Sequence, residues 1–283
     1  MPARNIMCRM VRIPPMTRPD KSAPNAAPSP AFKAQQALEA LCGLQTLPGP
    51  LPENTRAAAD LLDGDNCRKL LDALGPVIGS RSRKITASLL SKRIAFLFTA
   101  GGLYPVSMHD QAFDMSLGNC VVDYRHDGHR WQSALLLRTL DGISAPANDR
   151  DAWREHTCKT LFSGNLAPIW QALHEASGVS LSILWENTAV RIFSLYERRM
   201  MREPDAQKLA QIRADFDFLL RQADSSIFGT PKNPLGSFYF DKTKTADAEI
   251  RYRRTCCYYY LTPPKEYCST CPLLLKPRVK KHA

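Results

Sequence analysis

Four of the nine cysteines, Cys256, Cys257, Cys268 and Cys271, fall within sixteen residues near the end of the chain. The pattern is two adjacent cysteines, ten intervening residues and a Cys-x-x-Cys pair. Thiols so close in sequence can converge on one small volume, and four thiolates are the donor set of a [2Fe-2S] cluster or a structural zinc. Zinc ribbons usually build both halves from Cys-x-x-Cys knuckles. Adjacent cysteines in extended backbone point to opposite sides, an awkward approach to one tetrahedral ion. A two-iron rhomb is wider, so the spacing favours iron and sulfur over zinc. A disulfide knot or plain buried thiols are the readings without a metal. Spacing alone does not assign which sulfur pair holds which iron.

The residues around these cysteines carry a resemblance. Arg254-Thr255-Cys256-Cys257-Tyr258-Tyr259-Tyr260, the ten-residue gap, and Cys268-Ser269-Thr270-Cys271-Pro272-Leu273 resemble the C-terminal [2Fe-2S] signature of the FhuF-type ferric siderophore reductases. Upstream, Ser177-Gly178-Val179 leading into Leu184-Trp185-Glu186-Asn187-Thr188-Ala189 is similar to a helix start in that family that reads Leu-Trp-Gly-Asn; here Glu186 stands where glycine is commoner. The resemblance is dense over residues 250–275, looser over about 85–200 and absent before residue 30.

The resemblance implies a [2Fe-2S] cluster on Cys256, Cys257, Cys268 and Cys271, and a substrate pocket between the body and the cysteine module. The candidate substrate residues are Trp185, Asn187, Arg251 and Arg254. The implied activity is one-electron reduction of siderophore-bound Fe(III), releasing Fe(II) in the cytoplasm as part of iron uptake. A ferric siderophore is then the substrate, and a separate ferredoxin or flavin-reductase type protein supplies the electrons. Transient association with the inner membrane face beside an uptake permease is compatible with that role. Arg251, Arg253, Arg254 and Lys265 would set positive charge beside the cluster, with a solvated basic tail as the plainer reading.

Stepping outward along the chain, 283 residues with 44% hydrophobic content allow one large or two modest domains with a sizeable core. The longest apolar run, Ile94 to Val106, is interrupted by Gly101, Gly102 and Pro105 and is shorter than the roughly 18 residues that suggest a membrane span. No apolar stretch follows the basic N-terminus as an export signal requires, so the nine cysteines are expected in a reducing compartment. The net charge of +11 is uneven: residues 1–33 carry +5 and residues 251–283 carry +7, which leaves the body at −1. A near-neutral body argues against a broad nucleic-acid-binding face.

Residues 1–32, with seven of the 21 prolines, read as a disordered basic leader; Cys8 lies there and takes no role. Residues 33–236 read as a mainly helical body that forms the substrate-binding part, and 237–283 as the [2Fe-2S] module with its basic tail. Helical spacing predicts a helix from Phe32 to the Pro48 cluster, two short helices around Leu61 and Leu70, and an amphipathic helix from Ile85 to Ala100 that stops at Gly101-Gly102. Cys42 and Cys67 on these faces read as small buried hydrophobes. The period then changes to two. Cys120 to Arg125 and Trp131 to Leu137 read as a β-hairpin near 119–138, joined across Asp127-Gly128, with His126 and His129 as solvated turn residues. Further helices are expected over 149–162, 167–176, 181–201 and 205–223. The fold class is α+β, mainly α: a helical bundle with a small antiparallel sheet and a short cysteine-rich module.

No Walker loop, Gly-x-Gly-x-x-Gly or His-Glu-x-x-His occurs, so nucleotide hydrolysis, a Rossmann site and zinc proteolysis have no motif. His156 and Cys158, two apart on a helix, face different ways and do not read as a catalytic pair. Two rivals to the reductase stand: a structural zinc module whose basic tail binds nucleic acid or an acidic protein, and a siderophore-assembly protein. The ligand assignment makes a direct prediction. Cys268→Ser is expected to abolish or strongly shift the visible absorption of the purified protein, and Cys42→Ser to leave it unchanged; the parent spectrum in both variants would sink the assignment.

Overall fold

The structure is a computed structural model and describes residues 29–47 and 49–275; residues 1–28 of the proposed leader and the last eight residues lie outside them, and the leader's proposed end at residue 32 falls inside the first helix. Helix α1 (Pro30–Cys42) opens with the Ser29 hydroxyl accepting from the Phe32 amide and closes at Gly43 in the left-handed region, short of the Pro48 cluster expected to end it. Strand β1 (Gln45–Thr46) and strand β2 (Thr55–Ala57) follow, then α2 (Gly64–Val77), N-capped by Asp63.

The scaffold is α3 (Arg83–His109), which runs straight through Gly101-Gly102 to a left-handed Asp110. The expected stop at the glycine pair is therefore wrong, and packing explains why. A Cβ on Gly101 would lie 2.5 Å from a Leu135 methyl, and one on Gly102 2.7 Å from a Leu161 methyl. The glycines admit neighbours to the helix surface, and apolar residues all round the C-terminal half of α3 are buried.

Strands β3 (Gln111–Phe113), β4 (Cys120–Asp123), β5 (Leu136–Leu137) and β6 (Gly142–Ser144) come next. The hairpin is present: β4 and β5 pair antiparallel with Cys120 opposite Leu137, and His126 bridges to Trp131 near the turn. It is extended on both sides, antiparallel to β2 and parallel to β1, in the order β1-β5-β4-β2. Those short outer strands carry too little alternation to be read from sequence. Strands β3 and β6 form a separate pair.

Helices α4 (Arg150–Leu161), α5 (Ala167–Ser177), α6 (Leu181–Ser194) and α7 (Ala206–Asp217) complete the bundle, with a short α8 (Ser225–Phe228). Asp215 of α7 is buried and holds Arg150 and Arg154 of α4 together with the Ser107 hydroxyl of α3. Helix α6 lies along α3, and Asn187 donates to the Ser88 carbonyl and the Ser91 hydroxyl across that contact. Beyond a small hairpin of β7 (Thr243–Lys244) and β8 (Glu249–Ile250), the cysteine segment has little regular structure of its own. Among the described residues no helix is long and apolar enough to cross a membrane.

The α3 packing predicts the effect of filling it. Gly102→Val is expected to lower unfolding stability by roughly 1–3 kcal/mol through overpacking against Leu161. Chemical denaturation with a midpoint equal to the parent's would contradict this close approach.

Candidate metal centre

The cysteine segment takes its shape from the helices beneath it. The Ser88 hydroxyl on α3 donates to the Cys257 carbonyl at 3.0 Å, and one turn on the Lys92 ammonium lies 3.6 Å from Cys257 Sγ. From α6 the Glu186 carboxylate, 1% exposed, accepts from the Arg254 amide at 2.6 Å, the Thr255 amide at 2.9 Å, the Thr255 hydroxyl and Arg253 Nε at 3.3 Å. A buried charge is tolerated when it is fully hydrogen-bonded, and here the donors are the residues that lead into Cys256. The residue that departs from the Leu-Trp-Gly-Asn pattern is therefore the anchor of the cysteine loop.

Within the loop, the Arg253 amide donates to the Thr270 carbonyl and the Cys271 amide to the Cys268 carbonyl, both at 2.9 Å, which ties the Cys-x-x-Cys turn to the first cysteine pair. Tyr258 adopts φ 61° and its amide points at Cys256 Sγ, 3.4 Å away. Gly79, also left-handed, admits Pro263 so closely that a Cβ would lie 2.6 Å from the ring. The loop is thus seated on both α3 and the turn that precedes it.

The loop brings the tail cysteines together in pairs, and the spacing of one pair suits a shared metal. Cys257 Sγ and Cys268 Sγ lie 3.6 Å apart. With metal–thiolate bonds of about 2.3 Å, two sulfurs on one tetrahedral metal are separated by about 3.8 Å. Cys256 sits within range of the charge of Cys271 as well as Cys257. The convergence is pairwise, and among the described residues no three Cys, His, Asp or Glu side chains are placed to hold one ion. Arg253 Nη2 is buried without a hydrogen-bond partner beside these sulfurs, a donor that sulfide or thiolate would satisfy.

Electrostatics separate Cys257 from the other thiols. The Cys257 thiol is held well below its ordinary value, first by the bond it shares with Cys268, then by Lys92 and Arg253. Burial pushes Cys67 up to about 11 and Cys42 and Cys158 up to about 12, and it also raises Cys120. A ligand must bind as thiolate; burial also raises Cys256, and the bond to Cys257 raises Cys268, so of the shifted tail thiols Cys257 alone is lowered, while the body cysteines are packing groups.

The predicted substrate residues divide. Trp185 is buried against Phe162 and Phe228 and belongs to the core. Asn187 is buried too, acting on the loop through Ser88. Arg251 pairs with Glu197 at 2.9 Å and lines a pocket of about 200 Å³ beside Cys268. Arg254 packs over Phe240 at the edge of the module.

Sequence reasoning named Arg253, which acts on Cys257, but missed two further cations beside the sulfurs. Lys92 and Arg191 stand between the Arg251 pocket and a second one of about 450 Å³ that reaches the β4–β5 turn. Burial lowers the pKa of both; Cys257, Cys268 and Arg253 bear on each, Arg191 also bears on Lys92, and no carboxylate is among these charges. Their spacing from the cysteines exceeds sixty residues, so only a polar residue recurring on an otherwise buried helix face could have betrayed them.

Two family profiles match the chain. One, described as a ferric iron reductase FhuF-like transporter, covers residues 88–242, and the other, described as the FhuF 2Fe-2S C-terminal domain, covers residues 253–273. No curated protein matches. The second match encloses all four cysteines, and the first contains Lys92, Glu186 and Arg191.

The Glu186 clamp predicts a coupling between body and loop. Glu186→Ala leaves Arg253 buried without its partner and is expected to cost about 3–5 kcal/mol of stability. Iron retained after reconstitution should fall well below that of the parent; stoichiometric iron together with an unchanged melting temperature would refute the clamp.

Proposed function

The chain belongs to the FhuF-like ferric iron reductase family and carries a [2Fe-2S] cluster in its C-terminal module, and from that premise we propose that it reduces siderophore-bound Fe(III) to Fe(II) in the cytoplasm. The observation that supports this reading is the seating of the cysteine loop beside two pockets that share Lys92 and Arg191, with Lys92 3.6 Å from Cys257 Sγ.

Cys256, Cys257, Cys268 and Cys271 would hold the cluster, which when bound supplies one electron at a time. The chain's own groups do the rest. Glu186 and Ser88 fix the loop that presents the sulfurs. Lys92 and Arg253 place positive charge next to Cys257, which favours a more negative, reduced centre over an oxidised one. Lys92 and Arg191 offer positive charge to an incoming chelate from the opposite side.

Reduction releases the metal because hydroxamate, catecholate and carboxylate oxygens suit small, highly charged Fe(III) and hold Fe(II) far less firmly. With no dinucleotide-binding motif in the sequence, the reducing equivalents come from a separate protein of ferredoxin or flavin-reductase type. Anaerobic mixing of dithionite-reduced protein with a set of ferric siderophores is expected to reoxidise the protein while a ferrous-specific chelator reports an equal amount of Fe(II). Reoxidation by none of the set would remove the substrate claim.

A further inference from the structure

The pocket between α3, α6, the β4–β5 turn and the cysteine loop differs in character from the one around Arg251. Around Arg251 the cations are already matched: Arg251 and Lys242 pair with Glu197, and Arg253 pairs with Glu186. In the larger pocket Lys92, Arg93 and Arg191 all reach the wall and no carboxylate lines it. Arg93 is aimed by its bonds to Ser133, and Arg191 takes no carboxylate partner among the described residues. The negative charges that act on them are the Cys257 and Cys268 sulfurs for Lys92 and Arg191, and Asp123 and Cys42 for Arg93; none of these lines the pocket, so its wall presents positive charge to an anion.

The rest of the wall is aromatic. Phe96, Trp131 and Tyr259 line it, and the cations lie over the rings: Lys92 is 5.0 Å from the Tyr259 centroid, Arg93 5.1 Å and Arg191 5.9 Å from that of Phe96. Trp131 is held edge-on against His126, whose pKa burial lowers. Alternating cations and ring faces suit a ligand that is both anionic and aryl. The volume, about 450 Å³, is that of an ordinary small-molecule site. Its inner wall includes Lys92, which touches Cys257 Sγ.

We infer that this pocket is the substrate site and that it selects ferric chelates of the tricatecholate class, whose net negative charge and aryl rings match its walls, over neutral or cationic hydroxamate chelates. The inference rests on the reductase reading above. It also gives roles to the turn residues His126, His129 and Trp131, which form the outer lip of the pocket.

The test uses the full cluster-loaded chain and a redox-inert substrate mimic. Calorimetric titration with the Ga(III) complex of a hexadentate tricatecholate is expected to give a Kd at least tenfold lower than the Ga(III) complex of desferrioxamine B. Arg191→Gln and, separately, Trp131→Ala are each expected to weaken tricatecholate binding about tenfold with the visible spectrum retained. Lys242→Gln, in the Arg251 pocket, should leave it unchanged. Equal affinity for the two gallium complexes, or parent affinity in both Arg191→Gln and Trp131→Ala, overturns the inference even where ferric hydroxamates reoxidise the reduced protein. If the tricatecholate binds through Arg191 and Trp131 but its ferric form fails to reoxidise the protein, the site stands and the reductase reading falls.

Discussion

A segment with almost no secondary structure must hold four sulfurs in register, and a single buried carboxylate makes that feasible. Glu186 accepts four hydrogen bonds from Arg253, Arg254 and Thr255, so the entry to Cys256 is fixed to a helix rather than to the loop itself. Ser88 fixes Cys257 from a second helix, and Asn187 bonds Ser88 back to α6. Helices α3 and α6 thus act as a rigid base, and the loop inherits their precision. Burying so much polarity at one contact is stable only because nearly every donor has an acceptor.

Charge is distributed on two scales. The sequence total of +11 sits on the two ends, and the body is nearly neutral. Inside that neutral body, however, Lys92, Arg93 and Arg191 are gathered on one side of the cysteine loop while Asp215, Asp110 and Glu197 are occupied elsewhere by Arg150, Lys208 and Arg251. A global balance of charges does not describe a site. What matters is which cations have had their counter-ions taken by other partners, and that depends on three-dimensional placement.

This explains which parts could be read from the sequence. The iron-sulfur module was legible because a metal's donor set imposes spacing that survives in one dimension. The hairpin was legible from its alternation and its Asp127-Gly128 turn, and most helices from their period and caps. Gly101-Gly102 misled because glycine signals both helix ends and close packing, and the Leu135 and Leu161 side chains that decide between them come from distant segments. Trp185 and Asn187 were drawn toward the substrate by their neighbourhood in sequence, yet both point into the bundle. Lys92 and Arg191 left no signature, since a lysine and an arginine on two helices become a pair only when those helices pack.

The proposed centre is one two-iron site, all-thiolate in ligation, on the loop seated against α3 and α6. Mössbauer spectroscopy of the isotopically enriched full-length protein tests this most directly. The account predicts a single tetrahedral, sulfur-ligated ferric environment with a diamagnetic ground state in the oxidised protein. One-electron reduction should turn half of the iron ferrous, and addition of the ferric chelate should reverse it. Iron in a mononuclear environment, or a reduced site that the chelate leaves untouched, would contradict it.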